Sequence, residues 1–418
     1  MTRIMIWATH LQTDILALAA HLDACPDVAL LIVAADAVAF RRTPVAAALA
    51  LAAPVLDRGD SDTLAQVRSF SADIVVADNH VPPKGVAPRL FYMWHGLGWK
   101  ARSRLDLAVF YRQVKRLTGI DPRCPNPRFL AQCYGPTDRA WRSRNWNLPA
   151  DACPEVGMAF AALLRDPPYS KDEIAANYAI DVIGRKTVLL AITWHSGDIL
   201  RGGAADLNLV RTLIATTGQH GANLLVCFHD RQRYDAAFVA DIERLIASLP
   251  HCELRFKSDY PDNLSDLLVA DVMVSNLSSF LVYYYVLGRP AIHIVPERDK
   301  PIERVTMLFS RFRIRRKITA EAAWMIDPAD TGGVRVHDRR GAASAVVAAL
   351  ADPRDGGRAS KDWLARHVPR SDCGASQRIK VCLEAMCSGT IPLIRPGGPR
   401  KGWGGPAIRL RHPPVGGF

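Results

Sequence analysis

The chain has 418 residues, 49% of them hydrophobic, enough for two domains with buried cores and an extension. A formal net charge of +12 favours anionic partners: phosphorylated substrates, nucleic acid or an anionic membrane face. The nine cysteines show no CxxC spacing, which excludes a zinc-finger pattern and a dense disulfide framework and fits a reducing cytoplasm.

In chain order, Arg3–Ala8 reads as a buried strand, with His10 just past its end, and Leu11–Leu22 has helical spacing. The N-terminus lacks the apolar core and small-residue cleavage site of a signal peptide. Val28–Val33, Ala72–Ala77 and Arg89–Trp94 are predicted strands, separated by predicted helices at Val45–Leu51 and Asp62–Phe70. The longest apolar block, Val45–Leu56, contains Pro54 and falls short of the ~20 residues a bilayer span needs. At the tip of the fourth strand stand His95, Gly96, Gly98 and Lys100. Ligands bind outside the carboxyl ends of strands in open α/β sheets, and glycines let the backbone come close to them. A neutral imidazole there can take a proton from a hydroxyl, or simply hydrogen-bond its loop. Ala101–Arg128 mixes basic and apolar residues. Leu105, Ala108, Val109, Val114 and Leu117 are expected on one helix face, with Arg112, Lys115 and Arg116 largely away from it. Such a helix packs on its own domain or lies on anionic lipid.

Phe129–Tyr134 is a further strand and Asp138–Arg144 a helix, and the Pro-rich run Asp166–Ser170 marks a linker. The same alternation then restarts. Strands are expected at Thr187–Thr193, Ala222–Phe228, Cys252–Phe256, Val272–Val274 and Ala291–Val295. Helices are expected at Lys171–Tyr178, Asp206–Thr217, Asp235–Leu249, Asn263–Val269 and Phe280–Leu287. His195, His229 with Arg231, and the Asn276–Ser279 turn fall at strand ends. Ser278 and Ser279 open a helix, whose unpaired N–H groups can hold a phosphate; Ser is equally an ordinary N-cap. Beyond Arg298 the pattern weakens, with helices expected at Ala320–Ile326 and Ala342–Leu350, and another ending near Met386. The division is therefore 1–165, 166–387 and a basic, Gly/Pro-rich tail over 388–418 that reads as disordered. The fold class is α/β, with two Rossmann-like βαβ domains facing a central cleft.

Four segments, in order, resemble one family. Trp94–Gly96 with Lys100 resembles the WHGxxxK segment of the CDP-glycerol glycerophosphotransferases, the teichoic-acid polymerase and primase family. Val188–Trp194 resembles that family's strand ending in PTW, Ala270–Pro290 its ADVLISDYSSxxFxxxxLxRP segment, and Asp372–Arg378 its DGxASxR segment. Gly157 matches a family glycine, and the similarity spans about residues 90 to 380. The chain departs at His195, where the family has Arg, at Asn276, where it has Asp, and at Cys227, where a basic residue is common. The resemblance implies a GT-B fold and transfer of glycerol phosphate, or a related polyol or sugar phosphate, from a CDP-activated donor. The acceptor would be a hydroxyl of a membrane-linked glycan or polymer, and the chain would work peripherally at the inner face of the plasma membrane. It implies His95 as general base and His229 as stabiliser of the pyrophosphate charge. Ser278, Ser279, His195, Asn276 and Arg231 would lie on the donor, and Gly96 and Lys100 on the acceptor side. No carboxylate cluster points to a metal, and no tightly bound cofactor is expected. The alternative is a GT-B glycosyltransferase or nucleotide-sugar epimerase using a UDP- or GDP-sugar. Nucleic acid is not an expected partner, because no recognisable binding module accompanies the charge.

Overall fold

The computed structural model describes residues 1–94, 96–99, 104–192, 204–229, 231, 234–295, 302–309, 314–321, 324–353 and 356–390. His95, Lys100, His195 and the tail beyond 390 lie outside the described residues.

Two six-stranded parallel sheets form the frame. The first contains β1 (Thr2–Ala8), β2 (Val28–Ala34), β3 (Val55–Asp57), β4 (Ile74–Asp78), β5 (Leu90–Met93) and β6 (Phe129–Ala131), in the order β3-β2-β1-β4-β5-β6. The second contains β7 (Thr187–Ala191), β8 (Asn223–Phe228), β9 (Cys252–Phe256), β10 (Val272–Ser275), β11 (Ala291–Ile294) and β14 (Val334–Val336), in the order β14-β11-β10-β7-β8-β9. The inner strands are unbroken apolar runs: Ile4–Ala8, Ile74–Ala77 and Val188–Leu190 are buried. Parallel strands covered on both faces demand that composition, whereas a half-exposed strand would alternate.

The halves are not independent. One core runs from β1 through β5 into Leu277, Leu281 and Tyr283–Tyr285 of the second half. The helix Ala375–Cys387 crosses back onto the first half, where Lys380 Nζ donates to Asp27 (2.7 Å) and Arg89 Nη2 to the Cys387 carbonyl (3.4 Å). Gly157 admits that return: a Cβ there would lie 2.2 Å from the Arg370 carbonyl oxygen, and its φ of +86° is a glycine conformation.

Two expectations fail. Of the helix expected over Ala320–Ile326, Ala320 and Glu321 are strand instead, Ala320 pairing with Glu303 in an antiparallel hairpin of β12 (Ile302–Phe309) and β13 (Ile314–Glu321), while residues 322 and 323 lie outside the described residues. Strand pairing overrides the helix propensity of that Ala/Glu-rich stretch. On the helix Arg104–Thr118, the buried stripe is Leu107, Phe110, Val114 and Leu117, while Ala108 and Val109 are exposed. Phe110 sets the rotation: it packs on Tyr92 (ring centroids 4.7 Å), Phe129 (6.0 Å) and Trp146 (5.9 Å). Arg112, Lys115 and Arg116 face solvent, as expected.

Candidate active site

The site forms where the carboxyl edges of the two sheets meet. From the first half comes the loop after β5, and from the second the turn after β10. Leu277 there has φ +40°, an unusual conformation for a branched side chain. It places Ser278 as N-cap of the helix Ser279–Tyr285, its hydroxyl accepting from Phe280 N at 3.3 Å. The N-cap role of Ser278 is thus observed directly.

Gly96 lies on that helix start. A Cβ at Gly96 would come within 2.8 Å of Ser279 Cβ, 3.0 Å of Ser279 Oγ and 3.1 Å of Tyr283 Oη. Its φ of +116° is likewise open only to glycine. The two stretches singled out in the sequence therefore touch, across the domain boundary. The loop continues into the second half: Leu97 and Trp99 are buried. Trp99 Nε1 donates to the Asp330 carbonyl (2.9 Å), and the Trp99 carbonyl accepts from Met325 N (2.7 Å). The Trp99 ring packs against Trp363 (5.5 Å) and edge-on to His293 (5.4 Å).

His293 was not legible as a site residue, because it sits inside an apolar strand. It is fully buried on β11, and burial pushes its imidazole down to about 3. Gly332 N donates to Tyr285 Oη at 2.9 Å, and the same hydroxyl pairs with His293 Nε2. A neutral ring thus backs the glycine loop. His293 Nδ1 and the Oγ of its register partner Ser275 have no hydrogen-bond partner among the described residues.

His229 is half-buried at the end of β8, and its backbone N–H donates to Tyr234 Oη (3.1 Å). Asn276 is buried in the turn before Ser278. Arg231 is turned to acids: its guanidinium bonds Glu243, lies 3.7 Å from Asp259 and stacks 4.2 Å from the Phe256 ring centroid. Its charge is already matched by those carboxylates. Beside Cys227 a buried carboxylate holds a cation. Lys257, one residue past β9, donates to Asp266 Oδ2 (2.6 Å), and Cys227 Sγ lies 3.4 Å from the same oxygen. The Lys257 ammonium lies 5.6 Å from the centroid of Phe280, in the first turn of the helix Ser279–Tyr285. Asp266 is fully buried and also meets Arg255 (3.4 Å) and Tyr178 Oη (3.0 Å). Burial opposes its charge, while Lys257 and Arg255 hold its carboxyl below the usual range. Nothing in a single sequence marks Lys257, since its partner Asp266 lies on another element.

Among the described residues no three His, Cys, Asp or Glu side chains gather in a metal-binding group, and no helix is long and apolar enough to cross a membrane.

Two Rossmann-like domains joined at their carboxyl edges, with a returning C-terminal helix, define a GT-B-like fold. Solved structures share it at low identity. A variant of the wall teichoic acid polymerase TagF, soaked with CDPG, aligns with TM-score 0.63 and 13% identity over 93% of this chain and 88% of its own. The S. aureus MnaA–UDP co-structure aligns with TM-score 0.58 and 12% identity, covering 93% and 97%. A UDP-N-acetylglucosamine 2-epimerase aligns with TM-score 0.54 and 13% identity, covering 97% and 100%. No protein-family model matches the chain, and no curated protein matches it significantly in sequence.

Proposed function

We propose that the chain is a surface-polymer transferase that moves glycerol phosphate, or a related polyol or sugar phosphate, from a CDP-activated donor to a hydroxyl of a membrane-linked glycan or polymer. The observation that carries this reading is the seating of Gly96 on Ser279, which joins the His95 loop of one half to the hydroxyl-bearing turn of the other. The fold shared with TagF and the four motifs in order support the same reaction class.

In this reading His95 takes the proton of the acceptor hydroxyl. The acceptor oxygen bonds to the phosphorus that carries the polyol, the bond from that phosphorus to the bridging oxygen breaks, and cytidine monophosphate leaves. His229 offsets the charge that develops on the leaving phosphate, together with Lys100 and His195. Ser278, Ser279 and Asn276 orient the donor. Positioning and electrostatics carry most of phosphoryl transfer, so the reading requires no tightly bound cofactor. The solvent-facing Arg112, Lys115 and Arg116 suit the anionic inner face of a membrane, where the acceptor would be anchored.

A second reading is favoured by the neighbours that carry UDP or UDP-N-acetylglucosamine in their names: a GT-B glycosyltransferase or nucleotide-sugar epimerase. Radiolabelled CDP-glycerol assayed beside a panel of UDP- and GDP-sugars separates the two. Label transfer from CDP-glycerol supports the first; conversion of a nucleotide sugar with none from any CDP-polyol replaces it with the second.

A further inference from the structure

We propose that Asp14 is a positioning residue that sets the loop carrying His95, an inference that rests on the transferase reading for its catalytic consequence. Asp14 lies in the first turn of the helix Thr13–Asp23 and is 1% exposed. Its Oδ2 accepts from Tyr134 Oη (2.6 Å) and Tyr283 Oη (2.7 Å), and its Oδ1 from Phe160 N (2.8 Å). Those donors come from three segments, and Tyr283 belongs to the second half. A carboxylate held this far from water survives only when its lone pairs are occupied.

The two tyrosines lead to the residues on either side of His95. Tyr134 Oη is also 3.3 Å from the Trp94 carbonyl oxygen. Tyr283 Oη is the atom that a Cβ on Gly96 would meet at 3.1 Å. One buried carboxylate therefore fixes both hydroxyls against which the loop rests, one per domain. The backbone bears a strain here: Thr13 has φ +51°, a conformation β-branched residues avoid. Such strain persists where the surroundings over-determine it, and it clusters at functional sites. Asp14 escapes a reading of sequence because an acid in a first helical turn is explained by the helix dipole alone.

The test uses the full chain, with Asp14→Asn, which keeps shape and one acceptor oxygen, and Tyr283→Phe, which removes one hydroxyl. Amide hydrogen exchange is followed in the peptide 90–99 and in β7, β8 and β10, alongside kcat and KM for CDP-glycerol. The expected result is exchange at least about tenfold faster in 90–99, with the second-sheet strands unchanged. Turnover is expected to drop on the order of 10²-fold while the donor KM stays within about threefold, as for misplacement of a catalytic group. Unchanged exchange in 90–99 in both variants overturns the proposal. So does faster exchange throughout the chain, which marks a purely structural role, or a loosened loop with unaltered kcat. If the unmodified chain turns over no CDP-polyol, the transferase reading falls, and the exchange in 90–99 still decides whether Asp14 sets the loop.

Discussion

Gly96 rests on Ser279 so closely that the first carbon of any side chain would enter the space of the serine, and its neighbour Gly98 does not. A Cβ on Gly98 would meet Ser279 Cβ at 3.6 Å, an ordinary contact, against 2.8 Å for Gly96. Gly96→Ala should therefore destabilise the chain by about 1–3 kcal/mol, from crowding and the forced φ together. Gly98→Ala should stay within about 0.5 kcal/mol. Urea denaturation of both variants checks this; equal effects would show that the loop is not seated on the helix.

Asp266 should be among the costliest polar residues to remove. Asp266→Ala leaves Lys257 and Arg255 beside an empty site, with Asp266 fully buried in the native chain. Breaking a buried ion pair on one side costs about 3–5 kcal/mol. Adding Lys257→Met should recover part of that loss, because it removes one stranded charge. Denaturation midpoints of the single and double variants measure the coupling, and strict additivity would contradict it.

His293 makes stability depend on pH. Its imidazole is held at about 3 when folded, against an ordinary 6.5, so the unfolded chain binds the extra proton between those values. Stability is therefore intact above about 6.5 and is lost as pH falls toward 3, by about 2 kcal/mol between pH 7 and pH 5. His293→Phe should lose less over the same interval. Urea denaturation at both pH values gives the comparison, and identical losses in the two proteins would remove His293 from the account.

The cationic face of the helix Arg104–Thr118 predicts salt-dependent binding to anionic vesicles: sedimentation with them at low ionic strength and release at high. Reversing Arg112, Lys115 and Arg116 to Glu should abolish sedimentation without unfolding the chain, since all three face solvent. Sedimentation that survives the reversal would assign it to another surface.

Much of this arrangement was legible in sequence because parallel strands announce themselves as continuous apolar runs ended by polar turns. The strand ends at Met93 and Ser275 marked the two stretches that meet as Gly96 and Ser279. The rotation of the helix Arg104–Thr118 was misread because several apolar stripes fit the same segment. Only packing of Phe110 on Tyr92, Phe129 and Trp146 selects one. Asp14, Lys257 and His293 were missed for a common reason. Each owes its role to a partner on another element, far along the chain for Asp14 but only nine residues away for Lys257 and eight for His293, and local spacing does not show that those side chains meet. The hairpin β12–β13 was missed because the Ala/Glu-rich end of β13 has a helix propensity that pairing with β12 overrides.

The transferase chemistry is tested by transfer of label from CDP-[14C]glycerol to a membrane-anchored acceptor, by the unmodified chain and by His95→Ala. Transfer is expected from the unmodified chain, with a loss on the order of 10²-fold or more in the variant, the range of a general base. Full activity in His95→Ala, or turnover confined to a nucleotide sugar, would contradict it.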